Sequence, residues 1–269
     1  MKVLRNLIPL TFVVVLLAEA AYTAPFTLTD GNSEVTIYPA GVSGMYNWGV
    51  NGVDHLFRHW YWYRIGTTDP ESPINTISAP TVDQPLSNKA TVSFADQQGR
   101  FTLNVTYLLT GGAPGELFSM IDQEVVISNT STNTLEFYLF AYYDFDFWGT
   151  SINDIVKLLD SSTIIQYDAF LPGVAIVQVN PVPLRWEIGG YPSIRDKLDN
   201  NYADDLTNTG SPFGPGDATF AFQWGFFIDP GSEVRITSRH MITPEPSSAI
   251  VLGAGLIVLL GLRRRKHTV

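Results

Sequence analysis

Two aspartates two residues apart carry the clearest chemistry in this 269-residue chain: Asp144 and Asp146, in Ala141-Tyr142-Tyr143-Asp144-Phe145-Asp146-Phe147-Trp148. Alternate side chains of a strand share one face, so the two carboxyls would stand side by side among aromatic rings. A carboxyl pair can act as general acid and base at a glycosidic bond. The plainer account is a polar strand face meeting solvent, or a pair that helps to bind a cation. Asp144, Asp146 and Trp148 are expected as a non-catalytic set that contacts carbohydrate or a cation.

Other candidates are weaker. His55 and His59, in Asp54-His55-Leu56-Phe57-Arg58-His59, have the spacing that puts two imidazoles on one helical face, where zinc could bind. Leu56 occupies the place of the metalloprotease glutamate, and the following Trp60-Tyr61-Trp62-Tyr63 reads as strand. On a strand, residues four apart are about 13 Å apart, so the histidines are expected to hydrogen-bond at a strand entrance, and no metal site is expected. The acids and amides Asp196, Asp199, Asn200, Asn201, Asp204 and Asp205 offer the oxygen ligands that calcium takes. They lack the glycine at the sharp turn and the closing bidentate glutamate of an EF-hand, and read as a solvated loop. No cofactor is therefore expected, calcium being the one ion these residues suit. Gly41-Val42-Ser43-Gly44 misses the nucleophile elbow because its second glycine comes one residue early.

The elements that must position these residues are strands. Apolar residues recur with period two between Gly, Pro, Asn and Asp punctuation, over 34–38, 59–65, 90–95, 101–109, 119–127, 134–147, 163–167, 174–179, 218–228 and 233–240. In 101–109, Phe101, Leu103, Val105 and Tyr107 face one way and Thr102, Asn104 and Thr106 the other. The spacing predicts an all-β fold, a single large antiparallel sandwich over 21–243. One short helix is expected over 194–206, a helix or a strand over 152–159, and a long surface loop over 68–84, where Pro70, Pro73 and Pro80 fall. Alternation sends half of the aromatics among Trp60 to Tyr63, Phe137 to Trp148 and Phe220 to Phe227 into the core. The outward half would suit sugar rings.

Sixteen Lys and Arg against 26 Asp and Glu give a net charge of −10. Such a surface argues against nucleic acid, whose phosphates need cationic neutralisation, and against adhesion to anionic lipid. There is no cysteine. Disulfides, thiol nucleophiles and cysteine metal sites are excluded, and stability must come from the apolar core.

Both ends read as targeting segments. Lys2 and Arg5, the apolar stretch 7–17 and the small-x-small pattern of Ala18-Glu19-Ala20 make 1–20 a signal peptide, implying the Sec translocon and a signal peptidase cutting after Ala20. At the other end stand Pro244-Glu245-Pro246, an uncharged run over 249–262, and Arg263-Arg264-Arg265-Lys266. A helix of fourteen residues spans roughly 21 Å against a hydrocarbon core of ~30 Å, a marginal transmembrane anchor whose cations stay cytoplasmic. The order of these parts resembles the PEP-CTERM sorting signal of exported bacterial proteins. The resemblance implies an exosortase as partner, which cuts near Pro-Glu-Pro and passes the body to the cell surface or an exopolysaccharide matrix. An ordinary single-pass tail anchor is the competing reading of 244–269.

Within the body, the long strands 119–127 and 134–147 around Asn129-Thr130-Ser131-Thr132-Asn133 resemble galactose-mutarotase-like domains, with a jelly-roll or lectin-like sandwich as the alternative. The expectation is an exported, non-enzymatic envelope or matrix protein of structural or binding role, held in the inner membrane as precursor. The alternative is a carbohydrate-active enzyme or sugar-binding module at the same address. A convergent pocket joining Asp144 or Asp146 to a second carboxylate and a stacking Trp would favour that alternative.

Overall fold

The computed structural model describes residues 24–244. The expected signal peptide with Ala18 and Ala20, and the sorting residues Glu245, Pro246, Arg263, Arg264, Arg265 and Lys266, lie outside the described residues; Pro244 is the last of them. Among the described residues no helix is long and apolar enough to cross a membrane.

Two nine-stranded sheets make a sandwich. The first runs β1 (Phe26–Asp30), β2 (Ser33–Tyr38), β3 (Gly44–Val50), β5 (Arg58–Ile65), β11 (Leu135–Asp144), β17 (Ala218–Ile228) and β15 (Arg185–Gly190). The short β4 (Val53–Asp54) and β6 (Ser72–Pro73) pair with β3 and β5. The second runs β16 (Phe213–Gly216), β12 (Asp154–Asp160), β13 (Thr163–Asp168), β14 (Val174–Asn180), β18 (Glu233–Thr243), β10 (Ser119–Asn129), β9 (Phe101–Gly111), β8 (Lys89–Ala95) and β7 (Thr81–Leu86). Pairing is antiparallel except for a short parallel contact between β3 and β5.

The period-two reading decides which faces meet. Phe101, Leu103, Val105 and Tyr107 of β9 are buried as expected, and Ile121, Val125 and Ile127 of β10 lie beside them. From the first sheet, Phe137, Tyr143, Phe220 and Phe222 point into the same interior. Tyr143 stacks on Phe220 at 4.8 Å and on His59 at 4.3 Å. Each large side chain so buried stabilises by about 1.5–3 kcal/mol, which is how a chain without disulfides holds together.

The outer face of the first sheet is covered by the chain itself. The described residues contain one α-helix, α1 (Ser193–Asp199), shorter than the expected 194–206. The rest of that stretch is irregular and clamped by side chains. Arg64 of β5 binds Glu71 at 2.6 Å and Asp205 at 2.8 Å, Gln223 donates to Asp205 at 2.6 Å, and Trp62 donates to Asp199 at 2.9 Å. Asp199 also pairs with Arg195. Asp199 and Asp205 of the expected solvated loop are thus exposed yet tied down as ion-pair and hydrogen-bond partners, because the sheet beneath offers a cation and an indole donor, while Asp196 faces solvent as expected.

Of the helix or strand expected over 152–159, the structure has the strand, β12 (Asp154–Asp160). Two further expectations change. The 68–84 stretch contains β6, a 3-10 turn at Ile74–Thr76 and the start of β7; edge strands tolerate proline because their outer groups need no partner. Strand 134–147 stops at Asp144, where the chain turns into a 3-10 turn, Phe147–Gly149, with Trp148 left-handed at φ 59°.

Candidate acidic cleft

That early stop builds the site. Asp144, the last residue of β11, lies between Arg58 of β5 and Thr219 of β17 in the register of the sheet. Asp146 follows two residues later in the turn, and Asp217 immediately precedes β17. Oxygens of Asp144, Asp146 and Asp217 all lie within 4.8 Å of one another. Sequence spacing put Asp144 and Asp146 on one strand face. The structure joins them by a different route, a strand end and a turn.

Gln166 of β13 fixes the frame behind the cluster. Its amide donates to the carbonyls of Phe145 at 2.7 Å and Ala218 at 3.2 Å, and to Oδ2 of the buried Asp154 at 3.1 Å. Phe145 and Ala218 adjoin Asp146 and Asp217, so one side chain ties together the segments that carry two of the three carboxylates. The Tyr142 hydroxyl donates to Asp144 Oδ2 at 2.9 Å and orients the third.

The cleft is electrostatically uncompensated. Burial pushes Asp144 up to about 7, with the charges of Asp146 and Asp217 adding to it and the Tyr142 hydroxyl and Arg58 working against it. Burial pushes Asp146 up to about 6, helped by Asp217 and Asp54. Asp154 rises to about 8 through burial, opposed by the Gln166 hydrogen bond and reinforced by Asp146, Asp168 and Asp217. Carboxylates that crowd one another hold protons into the neutral range unless a cation or a hydrogen-bonding ligand takes up their charge.

Around the carboxylates the cleft has two lobes of about 180 and 240 Å³ that share Asp146 and Phe57. Tyr191 and Ser151 close the first lobe, and Asp54, Arg58 and Tyr46 line the second. The most exposed rings of the cleft are Phe57 and Tyr191, 49% and 48% exposed. Trp148 does not line either lobe: its indole donates to the Pro172 carbonyl at 2.9 Å and its ring packs edge-on against His55 at 5.3 Å. The expected set Asp144, Asp146 and Trp148 is therefore kept for the two acids, while Trp148 lies behind them. A wider groove of about 630 Å³ crosses the outer face of the second sheet. Its Asp122 is already paired with Arg239 at 2.8 Å, and no aromatic ring lines it.

The histidines are structural. His59 Nδ1 donates to the Tyr142 carbonyl at 2.9 Å and its Nε2 meets the Gln123 side chain at 3.0 Å. His55 Nδ1 accepts from the Trp148 backbone N–H at 3.4 Å. Burial lowers both to about 4, so both are neutral.

Sequence reasoning missed Asp217, Phe57 and Tyr191. Asp217 follows Gly216 as an ordinary turn residue, and only the register of β17 against β11 brings it beside Asp144. Three carboxylates of this kind can hold a divalent cation as part of a six- to eight-oxygen shell, orient sugar hydroxyls, or, if a proton is shared among them, exchange it with a bound group.

No family model matches the chain, and no curated protein matches it in sequence. Solved structures do match in shape. A putative aldose 1-epimerase from Escherichia coli K12 superposes with a TM-score of 0.56 at 8% identity, over 82% of this chain and 99% of that one. A galactose mutarotase-like protein from Lactobacillus casei ATCC 334 gives 0.54 at 8% identity, over 81% and 100%. A bacterial glucoamylase complexed with acarbose gives 0.55 at 11% identity over 77% of this chain, which spans only 30% of that protein. At these identities the likeness is one of fold: the body has the galactose-mutarotase-like sandwich that its long central strands resemble.

Proposed function

We propose that this is an exported envelope or matrix protein that recognises saccharide through the acidic cleft. The observation that carries the reading is the convergence of Asp144, Asp146 and Asp217 between two exposed rings, Phe57 and Tyr191. Carboxylates take sugar hydroxyls in pairs and rings cover the apolar face of a pyranose. The sandwich shared with carbohydrate-related proteins supports the reading without carrying it. Calcium is the ion that suits the cleft, with the three aspartates supplying part of its shell.

The address comes from the ends of the sequence. Sec export, cleavage after Ala20 and an exosortase acting near Pro244-Glu245-Pro246 deliver the body from the inner membrane to the outer envelope, cell surface or exopolysaccharide matrix.

A second reading, glycoside hydrolysis, is favoured by one observation: carboxylate oxygens of Asp144, Asp146 and Asp217 within 4.8 Å of one another, where burial and mutual repulsion favour one protonated group, an acid, beside a charged one, a base. One experiment separates the readings. The purified protein is presented with a panel of oligosaccharides and extracellular polysaccharides, alone and as Asp144→Asn with Asp146→Asn. Retention lost in the double variant, with no reducing ends released, supports recognition. Release of reducing ends abolished in the variant establishes the enzyme, and equal retention of both proteins refutes the cleft.

A further inference from the structure

The end of the sandwich that carries the cleft is also the end from which the chain leaves. The last residue of β18, Thr243, pairs with Val174 at the start of β14. Just before Val174 comes the loop of Phe170 and Leu171, which approaches Trp148 through the Pro172 carbonyl. Phe57 joins this neighbourhood by donating its backbone N–H to the Asp144 carbonyl at 3.0 Å, and Tyr191 by donating its own to the Asp217 carbonyl at 2.9 Å. Around this end the chain exposes Val42, Phe57, Ile152, Phe170, Leu171 and Tyr191, with Phe170 80% exposed. Exposed apolar side chains also occur elsewhere: Phe227 is 76% exposed. It lies at the far end of β17, roughly 30 Å from Asp217 along the strand.

The tether chooses between the two ends. Only the five residues 244–248 separate the body from the uncharged run that begins at Ala249. Fully extended, five residues reach at most about 18 Å, less than the length of the sandwich. While the run sits in a bilayer, the exit end is held within about 18 Å of the headgroups at every tilt of the body, which is true of no residue at the far end.

We propose that in the unprocessed precursor this end faces the bilayer, with Phe170 and Leu171 of the 169–173 loop inserted among the lipid headgroups and the acidic cleft turned towards the membrane. The inference rests on reading the tail as a membrane segment. It adds a regulation of the cleft: cutting near Pro-Glu-Pro removes the tether, the two-residue contact is too small to hold the body alone, and the cleft opens to saccharide after release. The aspartates of the cleft disfavour an anionic surface, so the suited test membrane is zwitterionic.

The full-length chain is reconstituted into phosphatidylcholine vesicles containing a lipid with a nitroxide near the headgroup, beside Phe170→Ser with Leu171→Ser. Flotation scores insertion of the tail, and tryptophan quenching scores the contact. Trp48, Trp60, Trp62 and Trp224 are buried, and the half-buried Trp186 of β15 is replaced by Phe in both chains, which leaves Trp148, next to the loop, as the reporter the substitution affects. Both chains are expected to float, with quenching at least twofold stronger in the wild type. Equal quenching in floated chains overturns the membrane-facing loop and leaves the tail reading standing. Failure of both chains to float overturns the tail reading, and this inference with it.

Discussion

Replacing Asp144 by asparagine should stabilise the protein at pH 8 and leave it unchanged at pH 4. Asp144 is 2% exposed, and its carboxyl is raised from an ordinary 3.8 to about 7. The folded state therefore binds a proton that the unfolded state has already lost between about pH 4 and pH 7. Stability falls as pH rises through that window and is flat above it. At ~1.4 kcal/mol for each pH step, a displacement of about three steps sets a ceiling of about 4 kcal/mol. Asp146 and Asp217 supply part of it and take up protons themselves when Asp144 is charged, so about half, roughly 2 kcal/mol, is expected to be recovered by the amide. Asparagine still accepts the Tyr142 hydroxyl, so no hydrogen bond is lost. For a body of this size that corresponds to a rise in Tm of roughly 4–8 °C at pH 8, read by calorimetry on both proteins at both pH values. The neutral histidines push the other way, losing stability as pH falls from 6.5 towards 4, but they are common to both proteins and cancel in the difference. An Asn variant that melts at or below the wild type at pH 8 would show that the cleft's charge is already compensated, and the electrostatic description of the site would be wrong.

Other outcomes follow from the same geometry. Millimolar calcium should raise the Tm of the wild type at pH 8 and not that of Asp144→Asn with Asp146→Asn, while a chelator should reverse the gain; equal shifts in both would place any calcium elsewhere. Gln166→Ala leaves the carbonyls of Phe145 and Ala218 without their donor, so denaturant titration should show a loss of about 1–3 kcal/mol for the buried groups left unmet together with weaker saccharide retention. Phe220→Ala removes a ring stacked on Tyr143 in the core and should cost about 3–5 kcal/mol by the same titration, without altering the charge of the cleft. In a host with a working exosortase, alanines at Pro244, Glu245 and Pro246 should leave full-length protein in the inner membrane, whereas mass spectrometry of the wild type should find a C-terminus near Pro246. A wild-type chain ending at Val269 would reduce the tail to a permanent anchor.

The strands legible in the sequence were those with one face buried, since alternation is a direct record of a core on one side. Phe101 to Tyr107 shows this, and so does the long strand that ends in Asn129; the strand that ends in Asp144 is buried on both faces from Leu139 on and is legible from its unbroken aromatic and apolar run instead. Strands without that record were missed. In β3 Asn47 is exposed and left-handed at φ 52°, and β16 is glycine and proline over most of its length, Phe213–Gly216. The helix was overextended because Asp199 to Asp205 bind side chains of the sheet beneath, a partnership that leaves no local periodic trace. The site divides in the same way. Asp144 and Asp146 could be found because they are neighbours in the chain. Asp217 and the rings of Phe57 and Tyr191 could not, because strand register and loop closure bring them together from three distant segments. Trp148 was misplaced for the converse reason: extrapolating strand alternation past Asp144 put its ring on the wrong side of a left-handed turn.

The most direct test of saccharide recognition in the cleft is a crystal structure of the protein with a bound oligosaccharide taken from those the panel retains. The account predicts a sugar ring lying against Phe57 or Tyr191 with hydroxyls within hydrogen-bond distance of Asp144, Asp146 or Asp217. A sugar bound instead in the groove beside Asp122 and Arg239, with the acidic cleft untouched, would contradict it.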